Sequence, residues 1–175
     1  MRFESLVALA ACGCASTSTP PPVMAESVTV GEGGVSASGG AATGSAAGMV
    51  PIAPGFAPDP LVVLEGETGE GMYANTLSPE CVGTTTEEPT AVVSTLSNFP
   101  YLRVFVQSQG DTTLAVQRPD GNVICNDDFA GLNPAVEGTF RTGVYRVWVG
   151  TYGEEPGTPF QLAVTTNSAI GPGAL

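Results

Sequence analysis

From Leu61 onward the chain alternates short apolar runs with turn residues, the pattern of strands that bury one face. Leu61-Val62-Val63-Leu64 opens the series, Gly66-Glu67-Thr68-Gly69 turns it, and Thr90 to Leu96 is the next run. Tyr101 to Ser108 alternates so that Leu102, Val104 and Val106 share a face, and Thr112 to Arg118 follows with Leu114 and Val116 inward. Pro119-Asp120-Gly121-Asn122 reads as a tight turn, because proline presets φ and glycine accepts a positive one. Asn122 to Cys125 then pairs back across it. Ala135 to Arg141 and Val144 to Gly150 read as a second hairpin through Thr142-Gly143, and Phe160 to Val164 closes the series with Phe160, Leu162 and Val164 inward.

No stretch carries a convincing helical period, so strands spaced at about ten residues predict an all-β chain. The expected architecture is a single β-sandwich, jelly-roll-like, over residues 61–168, with 169–175 as a flexible tail. Trp148 falls on the strand face opposite Tyr145, Val147 and Val149. It either packs between elements or offers an aromatic surface to a sugar or peptide.

The first third has a different composition, mostly Ala, Gly, Ser, Thr and Pro. Leu6 to Ala11 aside, it holds no apolar cluster able to offset the entropy of ordering it. Arg2 and the short apolar run Leu6-Val7-Ala8-Leu9-Ala10-Ala11 read as an export signal over residues 1–11, too short to span a bilayer. Leu9-Ala10-Ala11-Cys12 is similar to a bacterial lipobox, which implies acylation of Cys12. An ordinary secretory signal cleaved after a small residue is the alternative. Acyl chains contribute about 0.8 kcal/mol per buried methylene, so several hold a soluble domain at a membrane. Gly13 stands where an aspartate would suggest inner-membrane retention, so the resemblance to lipoproteins points to the outer membrane. Residues 12–60 then form a disordered tether: Pro20-Pro21-Pro22 stiffens it locally and Gly31 to Gly48 is a flexible coil, with a total reach of roughly 35–40 Å.

Charge and missing residue types narrow the function. Asp and Glu number 17 against 5 Lys plus Arg, all five arginine, for a net charge of −12. With no basic stripe this argues against nucleic acid and against adsorption to anionic head groups. There is no histidine and no lysine, which removes Ser-His-Asp and Cys-His nucleophiles, histidine-ligated zinc, Schiff-base chemistry and a phosphate-loop lysine. Paired acids alone could suggest glycoside hydrolysis, but short loops leave little room for the cleft this needs. The reading is not an enzyme.

Cys81 and Cys125 are the cysteines of the domain, and in an exported chain they are expected to form a disulfide. The densest set of hard oxygen ligands is Asn126-Asp127-Asp128, with Asn133 nearby and Asp120 at the preceding turn. These residues are a candidate calcium site. Alternatively, they cap turns through side chain–backbone hydrogen bonds.

Asp111-Thr112-Thr113-Leu114, Pro119-Asp120-Gly121, Cys125-Asn126-Asp127-Asp128, Gly131-Leu132-Asn133-Pro134 and Gly143-Val144-Tyr145-Arg146-Val147-Trp148-Val149-Gly150-Thr151-Tyr152 together resemble the bacterial pre-peptidase C-terminal domain. The resemblance covers residues 75–166. It implies a β-sandwich module appended to exported proteins, with a non-catalytic accessory role. The expected function is an envelope lipoprotein whose sandwich is a structural or binding module for an envelope polymer or protein. The alternative is a calcium-stabilised accessory module associated with a secreted hydrolase or protease.

Overall fold

The computed structural model describes residues 48–153 and 156–175. The signal segment, Cys12, Cys14 and the tether up to residue 47 lie outside them. Eleven strands run in chain order: β1 Met49–Ile52, β2 Leu61–Glu67, β3 Met72–Tyr73, β4 Thr84–Thr85, β5 Ala91–Thr95, β6 Phe99–Ser108, β7 Thr112–Gln117, β8 Val123–Asn126, β9 Ala135–Phe140, β10 Gly143–Thr151 and β11 Pro159–Thr165. A single 3-10 turn, Ala74–Thr76, is the helical segment among the described residues.

The strands form two sheets packed face to face as a β-sandwich. One sheet is fully antiparallel in the order β2-β11-β6-β9. In the other, β10 is central: β5 pairs with its first half, β4 with Thr151, and β7 runs along Arg146 to Thr151 with β8 beyond. Strand β1 extends β5 in parallel, and β3 extends β4.

Alternation explains the interior. Leu102, Val104 and Val106 of β6 face Leu114 and Val116 of β7, Val147 and Val149 of β10, and Leu162 and Val164 of β11, all 2% exposed or less. Full burial of each such side chain contributes about 1.5–3 kcal/mol. The outward faces are not all wet. On β6 and β11, Phe105 and Ala163 are fully buried, because the chain beyond β11 folds back and lays Ile170 and Leu175 over them.

Three expectations are corrected here. The segment 169–175 is a docked strap rather than a flexible tail: Arg103 donates to the Ser168 carbonyl at 3.2 Å and to that of Ile170, and the Gln107 carboxamide oxygen accepts from the amides of Gly173 and Leu175 at 3.0 and 3.1 Å. The folded domain also begins earlier than residue 61. Met49–Ile52 is an edge strand with Ile52 2% exposed, Phe56 packs tilted against Phe99 at 6.2 Å, and the Asp59 carboxylate accepts from Thr165 and Thr166 at 2.5–3.1 Å. Finally, β9 and β10 are not a hairpin. β9 pairs with β6 in one sheet and β10 with β5 and β7 in the other, so Arg141-Thr142-Gly143 is a corner that changes sheets. Groups distant in sequence hold that corner. The Thr95 hydroxyl donates to the Arg141 and Gly143 carbonyls at 2.7 and 3.2 Å, and Asn98 Oδ1 accepts from the Thr142 amide at 2.9 Å.

Candidate functional site

The acidic loop after β8 carries Asn126, Asp127, Asp128 and Asn133 of the expected ligand set, and its two asparagine side-chain oxygens are engaged in holding the chain. Asn126 Oδ1 accepts from the Ala135 amide at 2.9 Å, closing the loop across its base. Asn133 Oδ1 accepts from the Ser108 amide at 2.7 Å while its Nδ2 donates to the Ser108 carbonyl at 3.2 Å, mimicking a strand pair at the end of β6. Asp127 and Asp128 lie in the same loop, intermediate and exposed respectively. Asp120 does not join them. It sits in the turn at the other end of the β7–β8 hairpin, where Gln117 pairs with Val123, whereas Asn126 pairs with Leu114. Its Oδ1 accepts from the Asn122 amide at 3.0 Å, and the Gly121 amide donates to the Arg118 carbonyl at 2.9 Å with glycine φ at +88°. Among the described residues no three His, Cys, Asp or Glu side chains converge as a metal-ligand group.

Cys81 and Cys125 are paired, with Cα atoms 5.3 Å apart at a sequence separation of 44. They tie the loop after the 3-10 turn to β8, over the outer face of the β7–β10 sheet. Ala74, Cys81, Ala115 and Trp148 form a small second core there, joined by Met72, Leu77, Val123 and Cys125. Trp148 is 5% exposed and its indole N–H donates to the Glu87 carbonyl at 3.4 Å. Of its two expected roles, packing is the one realised.

On the opposite sheet, Arg103 is 7% exposed on the outer face. Its Nε donates to Glu137 Oε2 at 2.7 Å, its Nη2 pairs with the same oxygen, and its guanidinium lies 4.7 Å from the Phe129 ring centroid and 5.8 Å from that of Tyr101. Tyr101 donates to Glu137 Oε2 at 2.8 Å. The hydrogen bonds from Tyr101 and Arg103 hold the Glu137 carboxyl below its usual range. Burial, then the bond to Glu137, pushes the Tyr101 phenol up to about 12.

A feature that strand patterning did not single out lies at the end of the sandwich where the sheets exchange chain. The β7–β8 turn and the β9–β10 corner flank an open depression of about 540 Å³ lined by Arg118, Pro119, Asp120, Thr139, Arg141, Thr142 and Tyr145. Gly143 brings its walls together: a Cβ there would stand 2.4 Å from Pro119 Cγ, at φ +150°. Tyr145 forms the floor, 3% exposed, packed at a tilt against Phe140 at 4.8 Å and donating from its hydroxyl to the Arg141 carbonyl at 2.9 Å. Burial pushes its phenol up, opposed by the charges of Arg118 and Arg141 and reinforced by that of Asp120. Neither Arg118 nor Arg141 has an ion-pair or hydrogen-bond partner for its guanidinium among the described residues. No residue pattern local to either arginine announces this site, since turn and corner meet only through the sheet change.

No known family, characterised protein or solved structure matches the chain.

Proposed function

We propose that the chain is an exported lipoprotein held at the outer membrane through acylated Cys12, whose sandwich is a non-catalytic structural or binding module of the pre-peptidase C-terminal kind. The observation that carries this reading is the use of the chemistry-bearing side chains. Asn126, Asn133 and Asp120 each close a turn or a loop, Arg103 and Glu137 clamp the C-terminal strap, and Cys81 and Cys125 brace the outer face. Such groups serve to keep loops fixed, which is what a presenting module requires. The Arg118–Arg141 depression is an opening flanked by unengaged guanidinium groups, and it suits capture of a ligand rather than its conversion.

The anchor is tested by fractionating cells that express Cys12→Ala. The wild type is expected in the membrane fraction and the variant in the soluble exported fraction; retention of the variant in membranes sinks the anchor reading.

A further inference from the structure

We infer that the depression between Arg118 and Arg141 is a binding site for a carboxylate on an acidic saccharide. This rests on the reading of the sandwich as a binding module and names its ligand class. In a chain of net charge −12, the described residues hold few cations, and two of them line one opening. A guanidinium presents a planar fork of donors that matches a carboxylate, and it stays charged at any working pH. Left without acidic partners, both forks are available to an incoming anion.

The rest of the lining selects among anions. Thr139 and Thr142 supply hydroxyls, Asp120 an acceptor, and Pro119 the one aliphatic ring. A lining more polar than apolar, with both donors and acceptors, fits a hydroxyl-rich ligand better than a peptide, whose side chains would need apolar subsites. Asp120 on the rim disfavours a second charge close to the first, which weighs against a phosphate dianion and accepts a sugar hydroxyl instead. The volume, about 540 Å³, lies within the range of small-ligand sites. Rigidity comes from the corner itself, fixed by Thr95 and Asn98, and from the contact of Gly143 with Pro119.

The test is calorimetric titration of the full chain with a tetrasaccharide of alternating glucuronic acid and N-acetylglucosamine, beside the same tetrasaccharide as its neutral methyl ester. The acid form is expected to bind saturably, and about tenfold more weakly once esterified. R118Q and R141Q should each weaken it by about tenfold with unchanged melting temperature, because Arg118 is only half-buried and Arg141 is exposed. D120N should strengthen it severalfold while retaining a turn-capping oxygen. Raising the salt about tenfold should weaken the acid form selectively. Absence of saturable binding, equal binding of acid and ester, or wild-type affinity in the folded R118Q/R141Q double variant would each overturn the site. So would binding of an acidic peptide with none of the tetrasaccharide. Failure here leaves the fractionation result for Cys12→Ala untouched, so the two readings stand or fall separately.

Discussion

Arg103 shows how a single buried cation organises a surface that alternation alone would leave apolar and wet. It lies on the outer face of β6, where it bridges Glu137 of β9 and the carbonyls of Ser168 and Ile170. Removing it leaves those acceptors without a charged donor and the strap without its main tie. Arg103→Met is expected to destabilise the fold by about 1–3 kcal/mol, less than a fully buried broken pair would cost because the Glu137 side chain is 40% exposed. Amide hydrogen exchange over residues 168–175 should rise far more than over β6 itself. The same network sets pH limits. Glu137 has a lowered pKa when folded, so its contribution is complete above the unfolded carboxyl value and is lost as pH falls through the lowered one. Tyr101 is raised to about 12, so its contribution is complete below the ordinary phenol value of 10.0 and is lost as pH rises through about 12. Glu137→Gln should therefore melt below the wild type at neutral pH, and the gap should close in acid. A gap that persists at low pH would show that the carboxylate's charge is not what matters.

At the scale of elements, the sequence pattern carried the long strands and failed where other parts of the molecule decide. Every strand from β5 to β11, and β2, was legible as alternation with turn residues between. Strand β1 was not, because Met49-Val50-Pro51-Ile52 is short and contains a proline, which reads as a breaker. The structure resolves the conflict by placing it at a sheet edge, where Pro51 needs no donor for an outer neighbour. β3 and β4 have two residues each and exist only as a ladder on β10. The corner at Thr142-Gly143 looked like a hairpin because a short Thr-Gly link usually joins paired strands. What turns the chain instead are Thr95 and Asn98, invisible in any local window. The basic depression was illegible for the same reason, since the contact of Gly143 with Pro119 joins its two walls. Gly143→Ala forces a Cβ to within 2.4 Å of Pro119 Cγ at a φ that side chains avoid. It should cost about 1–3 kcal/mol in a denaturant titration and, by spreading the walls, weaken tetrasaccharide binding as well. Ile52→Ala is a second check on the early boundary. Were residues 49–60 only tether, it would be silent; as a core position it should cost about 2–4 kcal/mol.

Over the whole molecule, the sandwich interior is closed by β-strand side chains, and each outer face carries its own smaller cover. The strap covers one sheet through Ile170 and Leu175, and the disulfide-braced loop covers the other through Cys81 and Leu77. The two covers differ in how they are held. The strap hangs on hydrogen bonds and one cation, whereas the loop is joined covalently to β8 at Cys125. That difference makes the second cover separable by chemistry. Closing a loop of 44 residues stabilises by about 4 kcal/mol in the chain-entropy treatment, a large part of a small domain's margin. Trp148 is the chain's single tryptophan, and it lies under this cover with Cys81 against it. Its emission therefore reports on whether this cover is in place. Reduction, or paired Cys81→Ser and Cys125→Ser substitution, should lower the denaturation midpoint. It should also shift Trp148 emission to the red before the strands unfold, since water then reaches the indole while the main core beneath β10 stays packed. Emission that moves only together with the far-ultraviolet strand signal would mean that the loop and sandwich unfold as one unit, and that the disulfide braces the whole rather than one face.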